Sequence, residues 1–201
     1  EQLIQQGTHF VRWGMVGGQD EMGTTIGCDN MDGGRLAAEH LIAHGRKHIA
    51  FLGDASNHYP EFRDRYLGAR NAMAAGGMEI EAGLQIDALN TEQSGFDAAQ
   101  QLIDSGVNFD AIFAASDLIA IGAIRAIEDA GLSIPGDVAI IGFDDIPAAS
   151  LAHPPLTTVQ QDYRTAGEVL VDALLTLIEG KSAEGYMLPA KLVVRKSCGA
   201  H

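Results

Sequence analysis

The stretch DAIFAASDLIAIGAIRAIEDAGLSIPGDVAIIGF, residues 110–143, decides the fold of this chain. It opens with an apolar run at 110–115, continues with apolar residues at helical spacing over 117–130, passes Gly131, and closes with a second apolar run at 137–143. Both runs are continuous rather than alternating, which is typical of strands that are buried on both faces. A strand, a helix that ends at a glycine and a further strand form the repeating unit of a parallel sheet.

The same order of elements recurs on both sides of this stretch. Further helices are predicted over 30–44, about 61–75, about 91–105 and about 163–179, and the glycines that follow them are Gly45, Gly76, Gly106 and Gly180. Strand-like runs lie at 48–53 and 84–89, and the tail at 186–197 contains Pro189, which favours edge strands or a crossover. The sequence therefore predicts an α/β fold in which helices cover both faces of a parallel sheet.

Composition and charge exclude several classes of protein. Hydrophobic residues make up 46% of the chain, yet no apolar run approaches the roughly 18–20 residues that cross a bilayer, so no membrane partner is expected. Thirteen Lys and Arg against 27 Asp and Glu leave a net charge of −14, and the basic residues are scattered, so this stretch alone is not expected to bind DNA. Cys28 and Cys198 match no metal spacing, and we expect two reduced thiols and a cytoplasmic protein.

Residues that could carry catalysis or hold a metal are poorly placed. His40 and His44 are four residues apart, but Gly45 ends the helix before His48, so the three are not expected to share a face. Asp144 and Asp145 are neighbours at a strand end and would point to opposite faces, which argues against an acid–base pair. Nucleophile and phosphate-loop motifs are missing as well. We therefore expect no catalytic residue, no metal, no cofactor and no enzyme activity.

Polar residues follow four of the predicted strands. They occupy 54–65, 90–96, 116–117 and 144–145. Since the carboxyl ends of parallel strands meet at one edge of a sheet, where α/β proteins bind ligands, these groups are expected to converge. Carboxylates, an arginine and an aromatic ring together suit the hydroxyls and the apolar ring faces of a sugar.

Four segments, in order, resemble the effector-binding region of the LacI/GalR family of bacterial transcriptional repressors. They are IGCDNMDGGRLAAEHLIAHGRKHIAFLGD (26–54), FRDRYLGARNAM (62–73), AASDLIAIGAIRAIEDAGLSIPGDVAIIGFDDI (114–146) and HPPLTTVQQDYRTAGEVLVDALL (153–175). The resemblance covers nearly the whole chain after about residue 8. It implies a two-lobed fold like that of periplasmic binding proteins, with 1–28 and 162–186 in the first lobe and 29–161 and 187–201 in the second. Because the chain starts at Glu1 with a helix-like EQLIQQG, we expect a fragment whose first lobe is truncated at its N-terminus.

The resemblance also implies a set of effector-binding residues. Arg65, three residues before Gly68, matches the arginine that grips the effector, and its alternative role is a surface ion pair with Glu61 or Asp64. Asp144 matches an acidic acceptor, and the alternative is a turn or capping residue. The remaining predictions, each with its alternative, are Gln161 (a crossover contact, or solvent-exposed), Phe96 (a stacking aromatic, or core), Ser116 (a polar contact where many members have Asn, or a helix N-cap), and Tyr59 and Glu61 (in the loop that discriminates ligands).

These residues lead to a functional prediction with two rivals. The resemblance implies a sensing domain that binds a small-molecule effector, expected to be a sugar or a derivative, between two lobes. It also implies a homodimer that controls operator DNA through a headpiece not in this sequence. The first alternative is a periplasmic sugar-binding protein of a transporter, which shares the binding chemistry. The second is a sugar-processing enzyme, which would need a nucleophile or a metal cluster.

Overall fold

The computed structural model describes residues 8–14, 23–78 and 83–199, so the helix end predicted for 1–7 lies outside the described residues. The elements, in chain order, are β1 (Val11–Trp13), β2 (Thr24–Cys28), α1 (Asn30–Ala43), β3 (Ile49–Leu52), α2 (Pro60–Ala75), β4 (Gln85–Ile86), α3 (Glu92–Asp104), β5 (Ala111–Ala114), α4 (Asp117–Asp129), β6 (Ala139–Asp144), α5 (Pro147–Leu151), β7 (Thr157–Gln160), α6 (Tyr163–Ile178), β8 (Tyr186–Leu188) and β9 (Lys191–Val193). Among the described residues, the helices are all too short or too polar to cross a bilayer.

The chain divides into two compact units. The smaller comprises Glu1–Asp29 and Gln161–Ala190, and the larger comprises Asn30–Gln160 and Lys191–His201. Asp29, Gln161 and residues 187–190 therefore belong to the smaller unit, whereas the sequence prediction placed them in the second lobe. The boundary near 187–190 differs because of strand pairing: β8 lies beside β2 of the smaller unit, with Leu188 opposite Cys28.

The smaller unit is built on a three-stranded sheet in the order β1-β2-β8, with both pairs parallel. Helix α6 covers it, and Ala166 packs with Ile26 and Leu188 to form a small apolar core. The carboxyl end of β1 carries Trp13, whose ring lies 6.2 Å from that of Tyr163 at the start of α6.

The larger unit contains a six-stranded sheet in the order β4-β3-β5-β6-β7-β9. Its first five strands are parallel, and only β9 at the edge runs antiparallel. The stretch that decides the fold supplies β5 and β6, which lie side by side at the centre and are buried along nearly their whole length. This arrangement of mostly parallel strands flanked by helices confirms the predicted α/β class.

The five predicted helices begin and end within about a residue of their predicted bounds, whereas the short helix α5 and the strand β1 were not predicted. Two other differences have a clear physical reason. Strand β7 was not predicted as a strand, because its sequence TTVQ has no apolar run; its threonines are buried because β7 lies between β6 and β9. Gly76 was predicted to end α2, yet its φ is −80° and Gly77 holds the left-handed turn at φ +74°. The last turn of α2 thus takes one more residue than the glycine pattern indicated.

Two pairs of helices in the larger unit pack closely against each other at glycine residues. Gly34 of α1 faces Gly68 of α2, and a methyl group on either would overlap a backbone carbonyl oxygen of the other helix, that of Arg65 or of Met31. Gly95 of α3 and Gly122 of α4 meet in the same way. Because carbonyl oxygens cannot move without moving the helix, these contacts set the distance between the helices of each pair.

Candidate functional site

Arg65 lies on the second turn of α2 and is 4% exposed. Its Nε donates to Oδ1 of Asn30 at 2.8 Å, and its Nη1 donates to the backbone oxygen of Ala115 just beyond β5. The guanidinium lies over the ring of Phe143 in β6, 3.7 Å from the ring centre. The alternative of a surface ion pair with Glu61 or Asp64 is therefore wrong, because these contacts take the side chain inward.

Asp144 supplies the negative charge that a buried guanidinium requires. It is the last residue of β6, and its Oδ1 lies 3.6 Å from Nη1 of Arg65. This distance is longer than a hydrogen bond, so the two groups are held by charge. Because β5 and β6 are parallel neighbours, Ala115 and Asp144 both lie at the carboxyl edge of the sheet. The structure thus brings Arg65 and Asp144 together at the edge where the sequence predicted a site.

Asp145 has partners of its own. Its Oδ1 accepts from Nη2 of Arg195 at 2.6 Å, and its Oδ2 accepts from Nε2 of Gln160 at 2.8 Å. Both acidic residues have positive φ angles, +114° at Asp144 and +56° at Asp145, which residues other than glycine rarely adopt. We refer to Asp144 and Asp145 together as the two-aspartate turn.

Asp117 was expected at this edge of the sheet as one of the polar residues that follow a strand, but no role was predicted for it; it holds the residue that follows the two-aspartate turn. Asp117 is the first residue of α4 and is fully buried; its Oδ2 accepts from the backbone N–H of Ile146 at 2.9 Å, and its Oδ1 accepts from the Thr158 hydroxyl. Burial raises the pKa of Asp117 to about 7, and the charges of the two-aspartate turn add to the rise. An acidic residue directly after a buried strand and a capping serine was the signal available in the sequence.

Ser116 is buried and forms the N-cap of α4. Its Oγ accepts from the backbone N–H of Ile119 at 3.3 Å, which is the capping role named as its alternative. An N-cap hydroxyl satisfies an amide that has no partner within the helix. A role of Ser116 in binding an effector stays a prediction.

Replacing Ser116 with alanine should lower the free energy of unfolding by about 1 kcal/mol, because the first turn of α4 loses its cap. Urea unfolding followed by circular dichroism would measure the change. The matched control is Ser150→Ala, since Ser150 is exposed and its hydroxyl donates only to the oxygen of Pro147. Equal losses in the two variants would contradict the capping role.

The other predicted residues lie in three places. Tyr59 is exposed just before α2 and stacks on Phe62, with ring centres 5.9 Å apart, and Glu61 lies half-buried in the first turn of the same helix. Tyr59 and Glu61 thus lie at the start of the helix that carries Arg65. Phe96 is half-buried within α3, and the guanidinium of Arg125 in α4 covers its ring at 4.7 Å.

Gln161 belongs to the smaller unit, where it is buried rather than solvent-exposed. Its Nε2 donates to the hydroxyl oxygen of Tyr163 at 3.2 Å. Sequence reasoning therefore missed Asn30 and Tyr163, each of which positions a predicted residue. A polar side chain at the start of a helix was the only signal for Asn30.

His40, His44 and Cys198 form a separate cluster. Nε2 of His40 lies 3.2 Å from Sγ of Cys198, which also accepts from the Thr157 hydroxyl at 3.1 Å. Burial, together with the nearby His44, lowers the pKa of His40. Cys28 and Cys198 are both buried thiols rather than halves of a disulfide. Within residues 8–14, 23–78 and 83–199, three or more His, Cys, Asp or Glu side chains are nowhere arranged to hold a metal ion.

Comparison with known proteins adds the following findings. A model of the periplasmic binding protein-like domain matches residues 38–198. The HTH-type transcriptional regulator CelR of Thermobifida fusca is 34% identical over 200 residues, which are 98% of this chain and 58% of that protein. The lactose operon repressor of Escherichia coli K12 is 37% identical over 172 residues, which are 83% of this chain and 46% of that protein. The chain thus spans about half the length of these relatives.

Solved structures of transcriptional regulators are also similar to this chain. The complex of the regulator CelR with cellobiose has a TM-score of 0.90 at 33% identity, over 97% of this chain and 60% of that chain. The lac repressor dimer bound to operator and the anti-inducer ONPF has a TM-score of 0.80 at 34% identity, over 88% of this chain and 53% of that chain. These relatives are transcriptional regulators, which are not enzymes, and they confirm the expectation that the chain is not an enzyme.

Proposed function

Because the chain belongs to the LacI/GalR family of transcriptional regulators and matches its effector-binding region, we propose that it is the ligand-sensing domain of such a regulator. In this proposal a small molecule binds at the carboxyl edge of the sheet of the larger unit. Its occupancy controls how the whole regulator binds operator DNA.

The observation that carries the proposal is the buried Arg65 facing Asp144. Taking a guanidinium out of water is costly, and the cost is offset here by Asn30, by the oxygen of Ala115 and by Asp144. Stability alone is a weak explanation for the burial of Arg65, because an apolar residue of similar size would avoid the cost of taking a charge out of water. A rigidly held donor beside an acceptor, at the ligand-binding edge of an α/β sheet, is what recognition of a small polar molecule requires.

The chemistry of this pair suits a sugar or a sugar derivative. A guanidinium only donates hydrogen bonds and a carboxylate only accepts them, so together they can bind two neighbouring hydroxyls of one ring. Tyr59, exposed and stacked on Phe62, offers an apolar surface for a ring face at the start of the same helix. The relative CelR was solved with cellobiose, which supports this ligand class.

Further features of the whole regulator follow the same relatives. We propose that the protein is a cytoplasmic homodimer that reads DNA through a headpiece in the longer protein. The lac repressor dimer bound to operator supports this assembly. The net charge of −14 agrees with a DNA-reading part that is separate from this domain.

A thermal-shift screen against sugars, sugar acids and nucleobases tests the proposal, followed by calorimetric titration of any compound that stabilises the protein. A ligand at about 100 times its Kd stabilises the native state by about 2.7 kcal/mol, which is readily visible. Arg65→Lys should weaken binding at least about tenfold, because an ammonium group cannot reproduce the fork of the guanidinium. Its melting temperature without ligand shows whether the variant is folded.

The matched control is Arg70→Lys. Arg70 is exposed on the same helix, with its guanidinium 5.9 Å from the ring of Tyr66. It should leave the affinity unchanged. A folded protein that no compound stabilises would refute the proposal. Equal affinity in Arg65→Lys and the parent protein would show that the ligand binds elsewhere.

A further inference from the structure

One row of residues crosses three neighbouring strands at the carboxyl edge of the larger sheet. Asp144 of β6 is in register with Gln160 of β7, and Gln160 is in register with Lys191 of β9. The acidic partner of Arg65 is therefore joined to Gln160 and Lys191 within a single sheet.

Gln160 and Lys191 mark the points where the chain leaves and re-enters the larger unit. The polypeptide passes to the smaller unit between Gln160 and Gln161, and it returns between Ala190 and Lys191. We call residues 158–162 and 189–193 the crossing segments. Backbone pairing alone thus places Asp144 two strands away from the return crossing and one strand away from the outgoing one.

Asp145 ties the same segments together through its side chain. One carboxylate oxygen accepts from Gln160, the last residue before the outgoing crossing, and the other accepts from Arg195, four residues after the return. Arg195 is itself held, because its Nη1 donates to the oxygen of Leu156 at 2.8 Å. The carboxylate is largely buried, so these charge-assisted hydrogen bonds are only weakly screened by water.

We propose that Asp145 is a positioning residue that couples the Arg65–Asp144 pair to the crossing segments. Asp144 and Asp145 are consecutive and both have positive φ, so a change in the backbone at one is passed to the other. When a ligand engages Asp144, the orientation of the two-aspartate turn changes. Asp145 then transfers this change to Gln160 and Arg195. The identification of Asp144 with a ligand site rests on the proposed function, whereas the coupling itself does not.

Hydrogen exchange of the ligand-free protein, followed by mass spectrometry, tests the coupling. Asp144→Asn removes the charge that faces Arg65, and it should speed amide exchange in the crossing segments at least about threefold through local opening. In the Asp145→Asn background the same replacement should add no further change there. The absence of any effect of Asp144→Asn on the crossing segments, or an equal effect in both backgrounds, would overturn the inference.

Two additional variants sharpen the test. Gln160→Leu removes one donor to Asp145 and retains Arg195, so it serves where Asp145→Asn fails to fold, and it should reduce the effect of Asp144→Asn. Asp137→Asn is the matched control, because Asp137 precedes β6, is exposed and accepts from Ser133 at the other end of the strand. It should leave the effect of Asp144→Asn intact, and a loss of the effect in this variant would contradict a specific role for Asp145.

A sugar identified by the thermal-shift screen separates this inference from the proposed function. Its addition should slow exchange in the crossing segments of the parent protein and leave them unchanged in Asp145→Asn, even where that variant still binds the sugar. Binding and slowed exchange in both proteins would refute the coupling and leave the proposed function standing. A ligand-free result as predicted, with no compound of the screen stabilising the protein, would support the coupling and refute the proposed function.

Discussion

Replacing Gly68 with alanine is expected to lower the free energy of unfolding of the larger unit by about 2–4 kcal/mol. The added methyl group would overlap the carbonyl oxygen of Met31 and crowd the amide of Arg35, both in the backbone of α1. Helices α1 and α2 must then separate, and Arg65 moves away from Asn30. The loss exceeds the gain of about 1 kcal/mol that alanine normally brings to a helix interior. Urea denaturation followed by circular dichroism measures the change.

Gly167→Ala is the matched control for this prediction. Gly167 also lies inside a helix, α6, but a methyl group there would meet no atom within 4 Å. It should therefore stabilise its unit by about 0.5–1 kcal/mol, the difference in helix propensity between the two residues. If both replacements stabilised the protein, the close approach of α1 and α2 would be disproved.

The second large effect is a dependence of stability on pH that comes from Asp117. Its pKa is raised from 3.8 to about 7 in the folded protein, so the native state binds a proton more tightly than the unfolded chain. The stability from this group is full below pH 3.8 and is lost as the pH rises towards 7. Between pH 5 and pH 8 the free energy of unfolding should fall by about 2–3 kcal/mol from Asp117 alone.

Asp117→Asn isolates this contribution. Asparagine keeps an oxygen for the N–H of Ile146 and presents an amide to the Thr158 hydroxyl, so it resembles the protonated acid. The variant should match the parent protein near pH 5 and be more stable near pH 8, as measured by urea denaturation across this range. His40 acts in the opposite direction, because its lowered pKa costs stability as the pH falls, but it is present in both proteins. Parallel curves for the two proteins would contradict a raised pKa at Asp117.

Sequence alone predicted most of the elements because the relevant signals are local. Continuous apolar runs at 110–115 and 137–143 are long enough to identify buried strands, and glycines mark where the intervening helices end. Strand β7 lacked such a run, since TTVQ is buried only because the sheet continues on both sides of it. A strand of this kind is recognised from its neighbours, and their positions are not local information.

The candidate site was predicted in part. The motif around Arg65 and the acidic strand end at Asp144 were found from the sequence, and the structure brings them to 3.6 Å. The supporting roles of Asn30 and Asp117 were not predicted, because both residues gain them from partners far along the chain. Phe96 was predicted from the sequence as a stacking residue, and the structure shows that its ring in α3 lies beneath the guanidinium of Arg125 in α4.

For this protein, the sequence by itself determined the class of fold, the order of its main helices and strands, and the edge of the sheet where polar groups collect. All three follow from hydrophobic periodicity and from the rule that parallel strands end on the same side. Only the tertiary structure decided which groups meet: Arg65 with Asn30 and Asp144, Asp117 with Thr158, and Asp145 with Gln160 and Arg195. The physical reason is that a buried charge is held by donors and acceptors from separate elements. Their spacing is set by helix contacts such as those of Gly34 and Gly68 with the backbone of the facing helix.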